Sequence, residues 1–141
     1  MKYKLTDQHG QTYGGTQWGP GIRHTAVGTR ADLCSDGYIH YYDSLLLAIF
    51  MNPAHSNFTS PRSWEFQPEG EQRHDKGLKS GSKGGTTVRE IPTPVVTLGQ
   101  RVRFALLVGL VAREYWSSEE WCQWAEGWLA GRDRSEESAA R

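Results

Sequence analysis

RHDKGLKSGSKGGTTVR, residues Arg73 to Arg89, carries Arg73, Lys76, Lys79, Lys83 and Arg89 against a single acid, Asp75. Between the cations lie Gly77, Ser80, Gly81, Ser82, Gly84, Gly85, Thr86 and Thr87. Read as a loop, this composition brings backbone N–H groups, hydroxyls and ammonium groups close to an anion, because glycine removes the steric barrier to approach. Read as a hairpin connection, it is a solvated link whose lysines keep a sheet edge soluble. It lacks the G-x-x-x-x-G-K-[ST] spacing of a phosphate-binding P-loop, and no helix follows it. Phosphate contact here means charge-assisted hydrogen bonds from Lys79, Ser80, Ser82, Lys83, Thr86 and Thr87.

Outward from that stretch, the two halves of the chain differ. The first 43 residues are rich in Gly, Thr, Tyr and Trp and show no helical period. KYKLTD, IRHTAV and YIHYY read as strands, RSWEFQ and TTVREI as two more, and YGGTQWGPG as a loop around Trp18. Asp43-Ser44 before LLLAIFM predicts an N-cap and a short helix that stops at Asn52-Pro53, with Leu45, Leu46, Ile49 and Phe50 toward the sheet. After the extended PTPVV, Thr97 with Gln100 forms a capping-box pattern that opens a helix from Leu98 to about Tyr115. Its middle, FALLVGLVA, is apolar on every side, which predicts burial, here against a sheet face. Ser117 with Glu120 repeats the pattern for a helix to about Ala130, and Gly131 supplies the C-cap. Strands first and helices last predict an α+β protein, with a mostly antiparallel sheet, one short inserted helix and a C-terminal two-helix hairpin. The expected organisation is a strand-rich ligand-binding part at 1–92, a hairpin packed on it at 93–131 and a charged tail at 132–141, one domain overall.

Bulk charge excludes some classes. Sixteen basic and sixteen acidic residues cancel, so general nucleic-acid binding is not expected. Residues 117–141 hold six acids, which makes the end of the chain acidic and the middle basic. Cys34 and Cys122 form neither a disulfide framework nor a metal cluster, and two reduced, mostly buried thiols are expected. No signal peptide and no bilayer-length apolar run is visible, so a cytoplasmic protein with no membrane association is expected.

Single residues add candidates. His40 lies beside Tyr38, Tyr41 and Tyr42 and fits three roles: a structural histidine, an acid or base, or a ligand contact. Trp18, flanked by glycines, can close over a planar ligand. Trp116, Trp121, Trp124 and Trp128 read as packing, with a partner-facing stripe as the other option. Trp64 reads as core or pocket. No G-x-S-x-G or Cys–His motif is present, and Glu65 with Glu90 is the one carboxylate pair that neighbouring strands could bring together. No catalytic residue, metal or cofactor is assigned.

In order, Tyr13-Gly14, Leu33-Cys34-Ser35-Asp36-Gly37-Tyr38-Ile39-His40, Asn52-Pro53, Glu69-Gly70-Glu71 with Asp75-Lys76, and Thr87-Val88-Arg89-Glu90-Ile91 resemble a small domain family of phage and prophage proteins with no characterised function. The likeness spans about residues 1–92. It implies a phage origin and a cytoplasmic role inside an infected bacterium, and no known chemistry. By analogy with small phage proteins that act on host defence, the expected function is non-enzymatic sequestration of an anionic, nucleotide-like ligand. Lys79, Lys83 and Arg89, with Arg73 and Lys76 nearby, would neutralise phosphate. Ser80, Ser82, Thr86 and Thr87 would donate hydrogen bonds, and Trp18, His40 or Tyr41 would pack on a base. The alternatives are a protein–protein inhibitor of a host defence factor, using the tryptophan stripe and acidic end, or a nucleotide-directed hydrolase or transferase with His40 and Glu90 as acid and base. A homo-oligomer is expected, since modules of this size often complete a pocket by pairing.

Overall fold

The computed structural model describes residues 1–115, 118–132 and 134–139. The chain divides into two compact units, Met1–Val95 and Val96–Arg141, where the sequence reading took one domain with a boundary at 92/93. Helix and strand are both well represented and the strand pairings are antiparallel, which is the α+β architecture.

The first unit is organised by one long hairpin, β6 (Arg62–Asp75) with β7 (Lys79–Ile91). Strand β1 (Lys2–Thr6) pairs with the start of β6, Lys4 standing opposite Trp64. Two short strands share the far edge of β7: β4 (Ile22–Thr25) lies along Gly84–Thr87, and β5 (Ile39–Tyr41) along Ser80–Ser82. Just past β5, Tyr42 exchanges both backbone hydrogen bonds with Tyr3 of β1, each 2.8 Å. The order β1–β6–β7–β5 therefore closes back on β1 through a single residue pair. A small side hairpin, β2 (Gln11–Thr12) and β3 (Thr16–Gln17), leads into Trp18.

The segment read as a loop is thus mostly strand. Only Asp75 to Leu78 turns the chain; Leu78 N–H donates to the Asp75 carbonyl at 2.7 Å, and Lys76 and Gly77 have φ of +43° and +85°. Two positive φ values make the type I′ turn that matches strand twist. The glycines of β7 serve packing. A Cβ on Gly85 would lie 2.1 Å from Phe66 Cζ, and one on Gly81 would lie 2.5 Å from Leu33 Cδ1 and 2.9 Å from Tyr38 Cβ. They give neighbouring side chains room against the backbone, a recognised use of glycine within a strand.

Helix α1 (Leu45–His55) begins at the expected cap, Ser44, whose hydroxyl accepts from Leu47 N–H. It runs past Asn52-Pro53, the expected stop. Pro53 sits in the last turn, and Asn52 ends the helix: its carbonyl accepts from Ser56 N–H, and its amide clasps Phe58 through two backbone bonds of 2.9 and 3.0 Å. Ala48 and Ile49 are its buried residues, while Leu46 is exposed.

In the second unit, α2 (Leu98–Val111) starts with the capping box of Thr97 and Gln100 and passes into a 3₁₀ turn at Ala112–Glu114. Helix α3 (Glu119–Leu129) is capped by Ser118, whose hydroxyl accepts from Trp121 N–H at 2.9 Å. Ser117 and Trp116, on which the second capping box and part of the tryptophan stripe rest, lie outside the described residues. Gly131, at φ +78°, ends α3 with Arg132 N–H on the Gly127 carbonyl. A last short helix, α4, covers Glu136–Ala139. Burial of α2 on all sides is not found: Leu106 is buried, but Leu107, Val108 and Val111 are exposed. Among the described residues, no helix is long and apolar enough to cross a membrane.

Candidate functional site

The candidate ligand residues are spread through the first unit, and all but Lys76 and Lys79 have hydrogen-bond or ion-pair partners within it. Trp18 is not a lid. It is 3% exposed, its indole N–H donates to Thr12 Oγ1 at 2.9 Å, and it packs edge-on to His24 and Phe66. Tyr41 is fully buried beside Phe66 and donates to Gln72 Oε1 at 2.6 Å. Trp18, Ile39, Tyr41 and Phe66 form the core inside the closed sheet. His40 donates its Nε2 proton to the Leu33 carbonyl; burial pushes its pKa down, and the hydrogen bond to Leu33 opposes that.

The hydroxyls point inward or to near neighbours. Ser82 and Thr87 are fully buried and donate to the carbonyls of Gly84 (2.7 Å) and Gly19 (2.6 Å). Ser80 shares a 2.7 Å bond with His74 Nδ1, and Thr86 donates to Glu69. Thr and Ser on a strand facing the core need such partners, because an unpaired buried hydroxyl costs about 1–3 kcal/mol.

The cations divide likewise. Arg89 pairs with Glu65 at 2.5 Å, and Arg73 bonds both Glu71 and the Ala31 carbonyl. Lys83 donates to the Gly37 carbonyl at 2.9 Å and stands 4.0 Å from the Tyr38 ring centre. The Tyr38 hydroxyl donates to Glu71 at 2.9 Å. Lys83, Arg73, Tyr38 and Glu71 thus pin the segment before β5 onto the long hairpin. Lys76 is exposed in the turn and Lys79 is half-buried at the start of β7. The structure therefore does not gather the twelve candidates around one aromatic-roofed concavity.

Glu65 and Glu90 are not a carboxylate pair. Glu90 is held by a two-point bond from Arg62 and Glu65 by Arg89, and each arginine draws its partner's pKa down. Trp64, left open above as core or pocket, is core at 1% exposure, with its N–H on Thr6 Oγ1. Cys34 is exposed, against expectation, and Cys122 is buried. Among the described residues, no three His, Cys, Asp or Glu side chains converge on a metal position.

The sequence reading missed Lys4. Its Nζ is 4.4 Å from the Trp18 ring centre and 5.7 Å from that of Phe66, and it donates to the His40 carbonyl at 3.0 Å. The residue is 6% exposed, and burial brings its pKa down to about 7. Lys2, Lys4 and Thr6 alternate with Tyr3 and Leu5, which reads as a polar solvent face. Closure of the sheet through Tyr42 covers that face as well.

A concave apolar surface lies in the second unit. Leu107, Leu110, Val111, Arg113, Glu114 and Glu126 line a groove of about 480 Å³. At about 100° per residue, Leu107, Val108, Val111 and Tyr115 fall within roughly a 100° arc of α2 and its extension. The opposite side is packed: Leu106 is buried, a Cβ on Gly109 would meet the Trp121 ring at 2.5 Å, and Arg113 pairs with Glu126 at 3.8 Å. Helix α2 thus has two apolar sides, one covered by α3 and one in solvent. Val111 and Tyr115 are 80% and 85% exposed. Comparison with family models, curated proteins and solved structures finds no match for the chain.

Proposed function

We propose that the protein is a non-enzymatic binding module that works through protein contact, with the open apolar side of α2 as its docking face. The observation that carries this is the exposure of Leu107, Val108, Val111 and Tyr115 on one side of a helix whose other side is already packed. Contiguous apolar surface rimmed by charge marks interaction sites far more often than it marks a surface left to water. Around the helix Arg103 and Glu114 flank this side on one edge and Arg101 on the other, and a helical segment with apolar residues at i, i+3 or i+4 and i+7 fits such a surface. The phage resemblance supplies the proposed setting, a host factor as partner.

Sequestration of an anionic, nucleotide-like ligand is the other reading, and the geometry supports it less. Its hydroxyl donors Ser80, Ser82, Thr86 and Thr87 and its guanidinium donors Arg73 and Arg89 already have partners within the fold. The two separate in one set of measurements. Anilinonaphthalene sulfonate fluorescence is expected to rise with the full chain at submicromolar concentration, where the chain is monomeric, and to fall severalfold in Leu107→Glu/Val111→Glu. Calorimetry with linear and cyclic nucleotides is expected to show no heat. Saturable heat that Lys79→Ala/Lys83→Ala abolishes would replace this proposal with nucleotide capture.

A further inference from the structure

We propose that, in the free protein, the open side of α2 is occupied by α2 of a second copy, the two helices running antiparallel about a twofold axis near Val108. This rests on the docking role just assigned to that side, and it names the occupant.

Three features of α2 favour a copy of itself. The apolar residues of this arc run from Phe104 to Tyr115: Val108 lies near their middle, with Leu107 beside it, Val111 and Tyr115 on one side and part-buried Phe104, about 60° from Leu107 around the axis, on the other. A twofold contact presents the same patch from both partners, so a strip balanced about its own midpoint fits that symmetry.

Charge gives the direction. The only charged residues from Leu98 to Tyr115 are Arg101, Arg103, Arg113 and Glu114, so the first half of the helix is basic and the acid sits at its end. Arg113 is already directed to Glu126 across to α3. A parallel pair would set Arg101 and Arg103 against their own copies. An antiparallel pair sets them against the other helix's C-terminal end, where both Glu114 and the negative end of the macrodipole lie.

Position around the helix makes the match specific. Arg103 and Glu114 are on one flank of the apolar arc, about 20° apart around the axis. Equivalent flanks face each other in an antiparallel pair. The midpoint between residues 103 and 114 falls at Val108 and Gly109, within about a residue of the middle of the arc from Phe104 to Tyr115. One axis therefore aligns the strip with itself and brings Arg103 of each chain level with Glu114 of the other, twice. A foreign helix docking on the same side would compete with this pairing.

Sedimentation equilibrium of the full chain across micromolar concentrations is the test. A concentration-dependent dimer is expected. Val111→Glu, at an exposed position that α3 does not cover, is expected to make the chain monomeric with unchanged circular dichroism. Arg103→Glu and Glu114→Arg are each expected to weaken the dimer about tenfold, and the double reversal to bring it back toward the wild-type constant. A dimer indifferent to Val111→Glu, or not restored by the double reversal, overturns the proposal. So does a monomer at every concentration, and the dye then separates the two ideas. Dye binding that Val111→Glu removes leaves protein docking standing and discards the second copy. No dye binding discards both.

Discussion

Replacing Lys4 by methionine should stabilise the first unit, and by an amount that depends on pH. In the folded chain the amine lies among Trp18, Phe66 and the His40 carbonyl, with a pKa of about 7 against 10.5 for a free lysine. No carboxylate is hydrogen-bonded to it among the described residues, so burial works against the charged form unopposed. Below pH 7 both folded and unfolded chains carry the proton, and the folded chain bears the whole desolvation penalty. That penalty is about 4–5 kcal/mol at about 1.4 kcal/mol per pKa unit. Between pH 7 and 10.5 the unfolded chain holds a proton that the folded chain has released, so stability rises with pH through that window. Methionine keeps a similar linear shape and removes the titration, though it forfeits the bond to His40, worth about 1 kcal/mol. The expected net gain is about 3–4 kcal/mol at or below pH 7, a large share of a small domain's total stability of about 5–15 kcal/mol. Urea unfolding of both proteins at pH 6, 7, 8 and 9, followed by tryptophan fluorescence, gives the difference directly. It should be largest at pH 6 and shrink by about 1 kcal/mol or more for each pH unit above 7. A difference that does not change with pH, or a variant less stable at pH 6, would refute the account of Lys4 as a poorly compensated buried amine.

Other changes follow from the same packing. Gly85→Ala should destabilise by about 2–4 kcal/mol in chemical denaturation, because the added carbon would collide with Phe66 Cζ and the Gln67 carbonyl, both in the sheet. Lys76→Asn should raise stability by about 0.5–1 kcal/mol, read as a higher urea midpoint, since lysine holds a left-handed φ of +43° that asparagine tolerates better. Thr97→Ala should cost the helical unit about 1 kcal/mol, visible as a lower thermal midpoint by circular dichroism, because the Thr97 hydroxyl that accepts from Gln100 N–H is lost.

How much of this was readable in the sequence depends on whether the deciding contact was local. The caps at Ser44 and Thr97 and the glycine stop at Gly131 involve neighbours within four residues, and their signatures appear in the chain as written. The strand starts of β1, β4 and β5 were likewise marked by β-branched and aromatic runs. Pro53 misled because its consequence depended on Asn52 reaching forward to Phe58, which no local propensity encodes. Lys4 escaped notice for a longer-range reason: alternation announces one wet face, and only the Tyr3–Tyr42 pair, by closing the sheet, puts Lys4 inside.

The segment from Arg73 to Arg89 shows why composition alone could not place the site. Glycine beside serine, threonine and lysine describes a backbone that something must approach closely and hydroxyls that need partners. A phosphate meets both conditions, and so does a packed interior. Which one applies is decided by what a Cβ would touch: at Gly81 and Gly85 it would touch Leu33, Tyr38 and Phe66 of the protein itself. The hydroxyls of Ser82 and Thr87 then find carbonyls of the same fold at 2.7 and 2.6 Å. The opposite holds for α2, where an all-round apolar sequence predicts enclosure and α3 encloses one side. A basic stretch whose hydroxyls and arginines are satisfied from within, and an apolar helix half covered, move the expected point of contact from the first unit to the second, and from an anion to another protein surface.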